Sequence, residues 1–355
     1  MKIDPIKLAQ ELIKFNSVTP ANEDIVNYII SILEPLGFVC KKYIFNNVAN
    51  LYARYGTKDP NFCFAGHTDV VPTGDLTKWS TDPFGGIIQN DILYGRGAVD
   101  MKGAIASFIS AAAKFIEEND EFSNSISLLL TGDEEESSKD GMIPLLEELK
   151  KEHEELSFCL VGEPTNPSFM GEMIKIGRRG SINFELTVNG TQGHVAYPEY
   201  ADNPIPKLMK ILNIISEHKF DEGNEFFDKS NLEVTSIDVG NTATNIIPNS
   251  VKAKFNIRFN NIHSASSLTE FINITTSKIS SNHQLKIISS SESFLCKNNE
   301  LIEIVENAVK NVVKCDPILS TSGGTSDARF IKDYCPVIEF GLINKTAHKA
   351  DENIN

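Results

Sequence analysis

The sequence predicts an α/β protein in which a discontinuous first domain, built on a mixed sheet flanked by helices, is interrupted by an inserted α+β domain. Three observations predict it. Short apolar runs at 48–54, 61–65 and 125–131 alternate with helical segments, the pattern of a sheet covered by helices. From Ser181 the texture turns to apolar-polar alternation, as half-exposed antiparallel strands require. After Phe294 the first texture returns. At 355 residues the chain also exceeds the roughly 250–300 at which one hydrophobic core stops growing, so two cores are expected.

Taken in order, residues 4 to about 14 carry Ile6, Leu8, Leu12 and Ile13 at helical spacings, and a second amphipathic run at 24–33 follows Pro20. A helix at 103–118, with a face of small residues, separates the apolar runs at 61–65 and 125–131. In the insert, Ile182-Asn183-Phe184-Glu185-Leu186-Thr187-Val188 and Lys252-Ala253-Lys254-Phe255-Asn256-Ile257-Arg258 read as strands. Helical patterns at 204–218 and 264–280 accompany them. The last part holds a helix at 300–314, a glycine-containing segment at 320–327 and a buried-looking strand at 336–340. No repeat and no long Pro- or Ser-rich tether is present, so the crossings near 179 and 293 should be short hinges. The expected boundaries are 1–179 and 294–355 for the first domain and 180–293 for the insert.

Composition narrows the partners. A formal net charge of -15 repels phosphate backbones and anionic lipid, so neither nucleic acid nor a membrane is an expected partner. An anionic substrate would need a local cluster of arginines. Cys40, Cys63, Cys159, Cys296, Cys315 and Cys335 form no CxxC pair, which fits reduced thiols better than a disulfide framework or a thiolate metal site. The start, Met1-Lys2-Ile3-Asp4-Pro5, has no apolar leader, and no apolar run approaches the ~18 residues of a membrane span. The expected compartment is the cytoplasm.

The chemistry-bearing residues cluster where apolar strands end. Phe64-Ala65-Gly66-His67-Thr68-Asp69 puts an imidazole at a strand end with a carboxylate two residues on: His67 is a candidate ligand and Asp69 a candidate acceptor for its second nitrogen. Gly95-Arg96-Gly97-Ala98-Val99-Asp100 ends in a carboxylate just before a helix, which equally fits an N-capping aspartate. Leu128-Leu129-Leu130-Thr131-Gly132 discharges into Asp133-Glu134-Glu135-Glu136, and adjacent like charges call for a cation unless the loop is simply solvated. Val161-Gly162-Glu163 and Thr346-Ala347-His348 add a further carboxylate and imidazole. Each signal is weak alone. Together they deliver oxygen and nitrogen donors, without thiolate, to the carboxyl edge of one sheet, which suits zinc or a neighbouring first-row ion. Two ions fit the ligand count better than one.

These motifs resemble metallopeptidase family M20, over essentially the whole chain. The resemblance implies His67 and Glu163 on one zinc, Glu135 and His348 on the other, Asp100 bridging, and Glu134 as general acid/base with Asp69 supporting His67. Cobalt can replace one zinc. A register slip of one residue in Asp133-Glu134-Glu135 would exchange base and ligand. Gly177-Arg178-Arg179-Gly180-Ser181, Gly190-Thr191-Gln192-Gly193-His194 and Gly323-Gly324-Thr325-Ser326-Asp327 resemble the branch that hydrolyses N-succinyl-L,L-2,6-diaminopimelate, a small tricarboxylate, to succinate and L,L-2,6-diaminopimelate. Substrate contacts would then be Arg178, Ser181, Tyr197, Asn245, Arg258, Gly324, Thr325 and Asn344. His194 would reach the partner's site in a homodimer formed through the insert. The alternatives are another M20 enzyme, such as an acetylornithine deacetylase or a dipeptidase, or an inactive metal-binding homologue. Outside the resemblance, Gly193-His194 also reads as a hairpin-turn histidine.

Overall fold

Asp4 starts the first helix for a chemical reason: its carboxylate accepts the amides of Ile6 and Lys7, and Pro5 presets the first helical φ. This helix, α1 (Pro5–Lys14), turns Leu8, Ala9, Leu12 and Ile13 inward. α2 (Glu23–Leu33) buries Ile25, Val26, Ile29 and Leu33 on a 3–4 spacing. The chain continues through β1 (Val39–Phe45), β2 (Val48–Tyr55), β3 (Asn61–His67), α3 (Lys102–Glu118), β4 (Ser125–Thr131), α4 (Met142–Lys151), β5 (Phe158–Val161) and β6 (Met173–Lys175). Then follow β7 (Gly180–Asn189), α5 (Pro204–Glu217), β8 (Asn231–Asp238), β9 (Ser250–Phe259), α6 (Ala265–Ser277) and β10 (His283–Ser291). Last come α7 (Asn299–Val313), β11 (Ile318–Ser320) and β12 (Val337–Glu339). The computed structural model describes residues 2–355 except Asn22, Asp120 and Ser137.

Two compact units result: Met1–Ile176 with Cys296–Ser320 and Ser326–Asn355, and Gly177–Leu295 with Thr321–Thr325. The first unit is built on a mixed sheet of order β1-β2-β4-β3-β5-β12-β6-β11. Its central strands β4, β3, β5 and β12 run parallel, with antiparallel pairings at β1/β2, β2/β4 and β12/β6. β4 is buried along its whole length and β3 nearly so, which is why both read as predominantly apolar runs. Leu12, Ile13, Ile25, Ile29 and Leu33 join Ile105 and Ile109 of α3 and Leu51, Phe64, Leu128 and Leu130 of the sheet in one core. Each such aliphatic side chain contributes about 1.5–3 kcal/mol on full burial. Because the four central strands are parallel, the segments leaving β3, β4, β5 and β12 all emerge at one edge.

The second unit is an antiparallel sheet of order β8-β9-β7-β10. Residues alternate in burial along β7 and β9, and the inward set packs with Leu208, Ile211, Leu212 and Ile215 of α5 and Leu268 and Ile272 of α6. Asn203 caps α5, and Ser264 with Ser267 forms a capping box on α6. β1, β8 and β10 are all sheet edges, and none of their residues is fully buried. An edge strand has one paired side and little core to fill, so its sequence is free to be polar. Among the described residues no helix is long and apolar enough to cross a membrane. All six cysteines are free, and Cys63, Cys159, Cys296 and Cys335 are buried.

Candidate metal centre

His67 closes β3 and is buried, at 1% exposure. Its Nδ1 lies 2.8 Å from the Asp69 carbonyl oxygen, and its Nε2 faces Asp100 Oδ1 at 3.1 Å and Glu163 Oε1 at 3.7 Å. The nearer support for the ring is therefore the main chain of Asp69; its carboxylate Oδ1 is 3.6 Å from Nδ1. That carboxylate instead accepts the amides of Glu134 at 3.2 Å and Glu135 at 3.1 Å, one on each oxygen, and so fixes the turn that leaves β4.

Asp100 does not cap the helix it precedes: the N-cap position of α3 is Met101, with no side-chain cap bond. The Asp100 carboxylate lies between two imidazoles, with Oδ1 toward His67 and Oδ2 3.1 Å from His348 Nε2. His348, at a left-handed φ of 61°, also places Nε2 3.0 Å from Glu135 Oε1. Donor atoms of His67, Asp100 and Glu135 all lie within 4.8 Å of one another, as do those of His67, Glu134 and Glu163. Two glycines allow this crowding. A Cβ on Gly162 would stand 2.4 Å from the Phe64 ring, and one on Gly341 would stand 2.3 Å from the Glu163 carbonyl oxygen.

The electrostatics are those of a site short of positive charge. Burial raises the Glu163 pKa well above the usual carboxylate range, and Asp100 and Glu134 raise it further. Burial likewise raises Glu134, with Asp327, Glu135 and Asp69 adding to the effect against the opposing pull of His67. Burial works against charge on His67, but its bonds to Asp100 and Asp69 outweigh that and raise its pKa well above normal. Asp100 and Glu135 push His348 up to about 10. Protons thus gather where cations are wanted. One contributor was not picked out from the sequence: Asp327, buried and pushed up to about 7 by burial, whose two carboxylate oxygens have no hydrogen-bond partner among the described residues. Its Gly-Gly-Thr-Ser-Asp setting drew attention to the glycines and threonine rather than to the acid. The imidazole and carboxylate donors, the orphaned oxygens and the raised carboxyl groups fit a divalent-metal centre.

The remaining candidate residues divide between the units. Asn344 belongs to the first; it is exposed, and its amide donates to the Asn166 carbonyl. Arg178 is buried in the second, where its Nη1 donates to the Ser322 carbonyl at 3.3 Å, in the same segment as Gly324 and Thr325. Ser181 pairs with Arg258 across β7 and β9. His194 and Tyr197 are exposed with ring centroids 5.7 Å apart, and the Asn245 carbonyl accepts the amide between them, that of Val195, at 3.2 Å. The Ala196 amide donates to His194 Nδ1 at 3.0 Å, so the neutral ring carries its proton on Nε2.

Residues 63–355 match the profile described as peptidase family M20/M25/M40, and the chain belongs to that family. It is a metal-dependent hydrolase. Among curated relatives, the succinyl-diaminopimelate desuccinylase of Ehrlichia canis (strain Jake) is 50% identical over 358 residues, covering 99% of this chain and 94% of that protein. The protein of the same name from Rhodospirillum centenum is 50% identical over 359 residues, covering 100% and 93%. Among solved structures, an M20 metallo-carboxypeptidase of Sulfolobus solfataricus superposes with a TM-score of 0.82 at 19% identity, covering 99% of this chain and 94% of that one. A Bacillus subtilis protein described as a dinuclear metal-binding peptidase of the M20 family gives 0.71 at 14% identity, covering 95% and 88%. These structures share the fold.

Proposed function

We propose that this chain hydrolyses the succinyl amide of N-succinyl-L,L-2,6-diaminopimelate, releasing succinate and L,L-2,6-diaminopimelate for lysine and cell-wall synthesis. The observation that carries it is the 50% identity, along the whole chain, to relatives named for that reaction. In this reading the protein is a cytoplasmic homodimer with two zinc ions per subunit, one replaceable by cobalt. His67 and Glu163 would hold one ion, Glu135 and His348 the other, and Asp100 would bridge. Bound there, the ions would polarise the amide carbonyl and lower the pKa of a bound water toward ~7.

Glu134 takes a proton from the water as its oxygen bonds to the amide carbon, and gives that proton to the amine nitrogen as the C–N bond breaks. Burial, which raises its proton affinity, suits it to that exchange. Asp69 holds the backbone amides of both Glu134 and Glu135 and so fixes the turn that carries them. Three substrate carboxylates call for guanidinium forks, and Arg178 and Arg258 are proposed for them, with Ser181, Tyr197, Gly324, Thr325 and Asn344 as neutral contacts. His194 of one subunit donates a hydrogen bond from its Nε2–H to the oxyanion formed in the other's site, with Asn245 beside it. An oxyanion donor of this kind is worth about 3–4 kcal/mol. The test is succinate release by zinc-loaded protein from succinyl-diaminopimelate, side by side with N-acetylornithine and dipeptides. Faster turnover of either competitor would remove the assignment.

A further inference from the structure

We propose that the buried Arg96–Glu352 ion pair is the positioning device of the metal centre, setting three of its ligand-bearing segments in register. Among the described residues, neither belongs to the clusters of His67, Asp100, Glu134, Glu135 and Glu163 that could hold a metal. Arg96 is 2% exposed and Glu352 0%, and Arg96 Nη1 lies 2.7 Å from Glu352 Oε2. The other oxygen, Glu352 Oε1, accepts the amides of Val99 at 2.9 Å and of Asp100 at 3.0 Å. Glu352 thus holds the backbone from which the Asp100 carboxylate springs.

Arg96 reaches the two neighbouring segments. Its Nη1 also donates to the carbonyl of Lys349, the residue after His348, at 3.1 Å. Its Nη2 donates at 3.2 Å to the carbonyl of Pro72, at the end of the His67-to-Pro72 stretch. The guanidinium carbon sits 5.2 Å from the centre of the Trp79 ring, whose indole donates to the Thr73 carbonyl. Asn353–Ile354 pairs with Leu93–Tyr94, and the Gly95 amide donates to the Glu352 carbonyl, so both partners of the ion pair are pinned at their own backbones. The segments that carry His67, Asp100 and His348 come from distant parts of the sequence, and this pair bonds to all three.

The chemistry needs these side chains in particular. A carboxylate has acceptors on both sides, one pair of lone pairs for the guanidinium and another for two amides. A glutamine at 352 keeps the shape but turns an NH2 toward either Arg96 or the Asp100 amide. A lysine at 96 keeps the charge and one bond but cannot span Glu352, Lys349 and Pro72 together.

The inference rests on the metal-centre reading, and the test separates the two. Zinc and cobalt affinities of the full-length protein are measured by competition with a chromophoric chelator, together with the absorption spectrum of the cobalt form, kcat, KM and Tm. Glu352→Gln should bind metal about 10–100-fold more weakly, the usual effect of losing a group that orients ligands, with an altered cobalt spectrum, unchanged KM and kcat restored by excess metal. Arg96→Lys should show a smaller loss in the same direction. The control is Arg54→Met, which breaks the Arg54–Glu154 pair at the start of the parallel strands and should lower Tm without changing metal affinity. Wild-type metal affinity in Glu352→Gln, or in Arg96→Lys should Glu352→Gln not fold, overturns the proposal and leaves the pair a purely structural one. Failure of the wild-type protein to bind metal would instead remove the metal-centre reading.

Discussion

Replacing Asp69 by asparagine isolates the contact on which the proposed division of labour between Glu134 and Glu135 depends. The Asp69 side chain is fully buried and gives one oxygen to each of the two amides. Asparagine can satisfy only one; its NH2 then faces the other N–H at about the same 3.1–3.2 Å separation, donor against donor. The loss is one charge-assisted hydrogen bond, about 1.5–3 kcal/mol, plus a buried unsatisfied donor, about 1–3 kcal/mol. The turn can relieve most of this by rotating, which moves Glu134 and Glu135 out of place. A misplacement costing about 3–4 kcal/mol corresponds to a kcat lower by about 10²–10³-fold.

His67 should be disturbed less, because its Nδ1 leans on the Asp69 carbonyl, which asparagine keeps. Metal analysis of Asp69→Asn should therefore show greater loss at the position proposed for Glu135 and His348 than at the one proposed for His67 and Glu163. The acid limb of the stability profile provides a second reading. Burial alone would raise the Asp69 pKa, but the nearby His67 ring and the two amides outweigh it and hold it below the usual value. A depressed carboxylate contributes stability that is present above the unfolded pKa of about 3.9 and is lost as pH falls through the folded value. Metal-free Asp69→Asn should lack that component and give a flatter profile below pH 4. A kcat within threefold of wild type, with full metal content, would refute the reasoning.

Three further outcomes are expected. Glu134→Gln should keep both metals and lower kcat by about 10²–10⁴-fold, whereas Glu135→Gln should lose metal; the reverse pattern would exchange their roles. Metal loading should release protons and tighten as pH rises, because His348 at about 10 and the raised His67, Glu134 and Glu163 groups hold protons that the ions must displace. Calorimetry in buffers of different ionisation enthalpy reads that number, and a value of zero would contradict the electrostatics. His194→Ala should lower kcat by about 10²–10³-fold with zinc content and sedimentation unchanged, and an unaltered rate would remove its oxyanion role.

Burial in the parallel sheet made β3 and β4 legible as predominantly apolar runs, and one-sided burial made β7 and β9 legible as alternations. The apolar stripe Met142, Leu145, Leu146, Leu149 of α4 was equally available, though Pro144 and the acidic run before it obscure the start. The edge strands β1, β8 and β10 were not legible because none of their residues is fully buried, so no core imposes a run or a strict alternation on them.

What the sequence by itself determined is the inventory: which strands end in a carboxylate or an imidazole, and that no thiol accompanies them. Periodicity and donor chemistry are local properties, carried by neighbours in the chain. What only the tertiary structure decided is who meets whom. Asp100 stands between His67 and His348 rather than capping α3, the Asp69 carboxylate serves two amides while its carbonyl serves the ring, and Glu352 holds the Asp100 backbone from more than two hundred residues away. Those partnerships depend on the parallel order β4-β3-β5-β12, which brings the strand ends to one edge, and no spacing along the chain encodes that order.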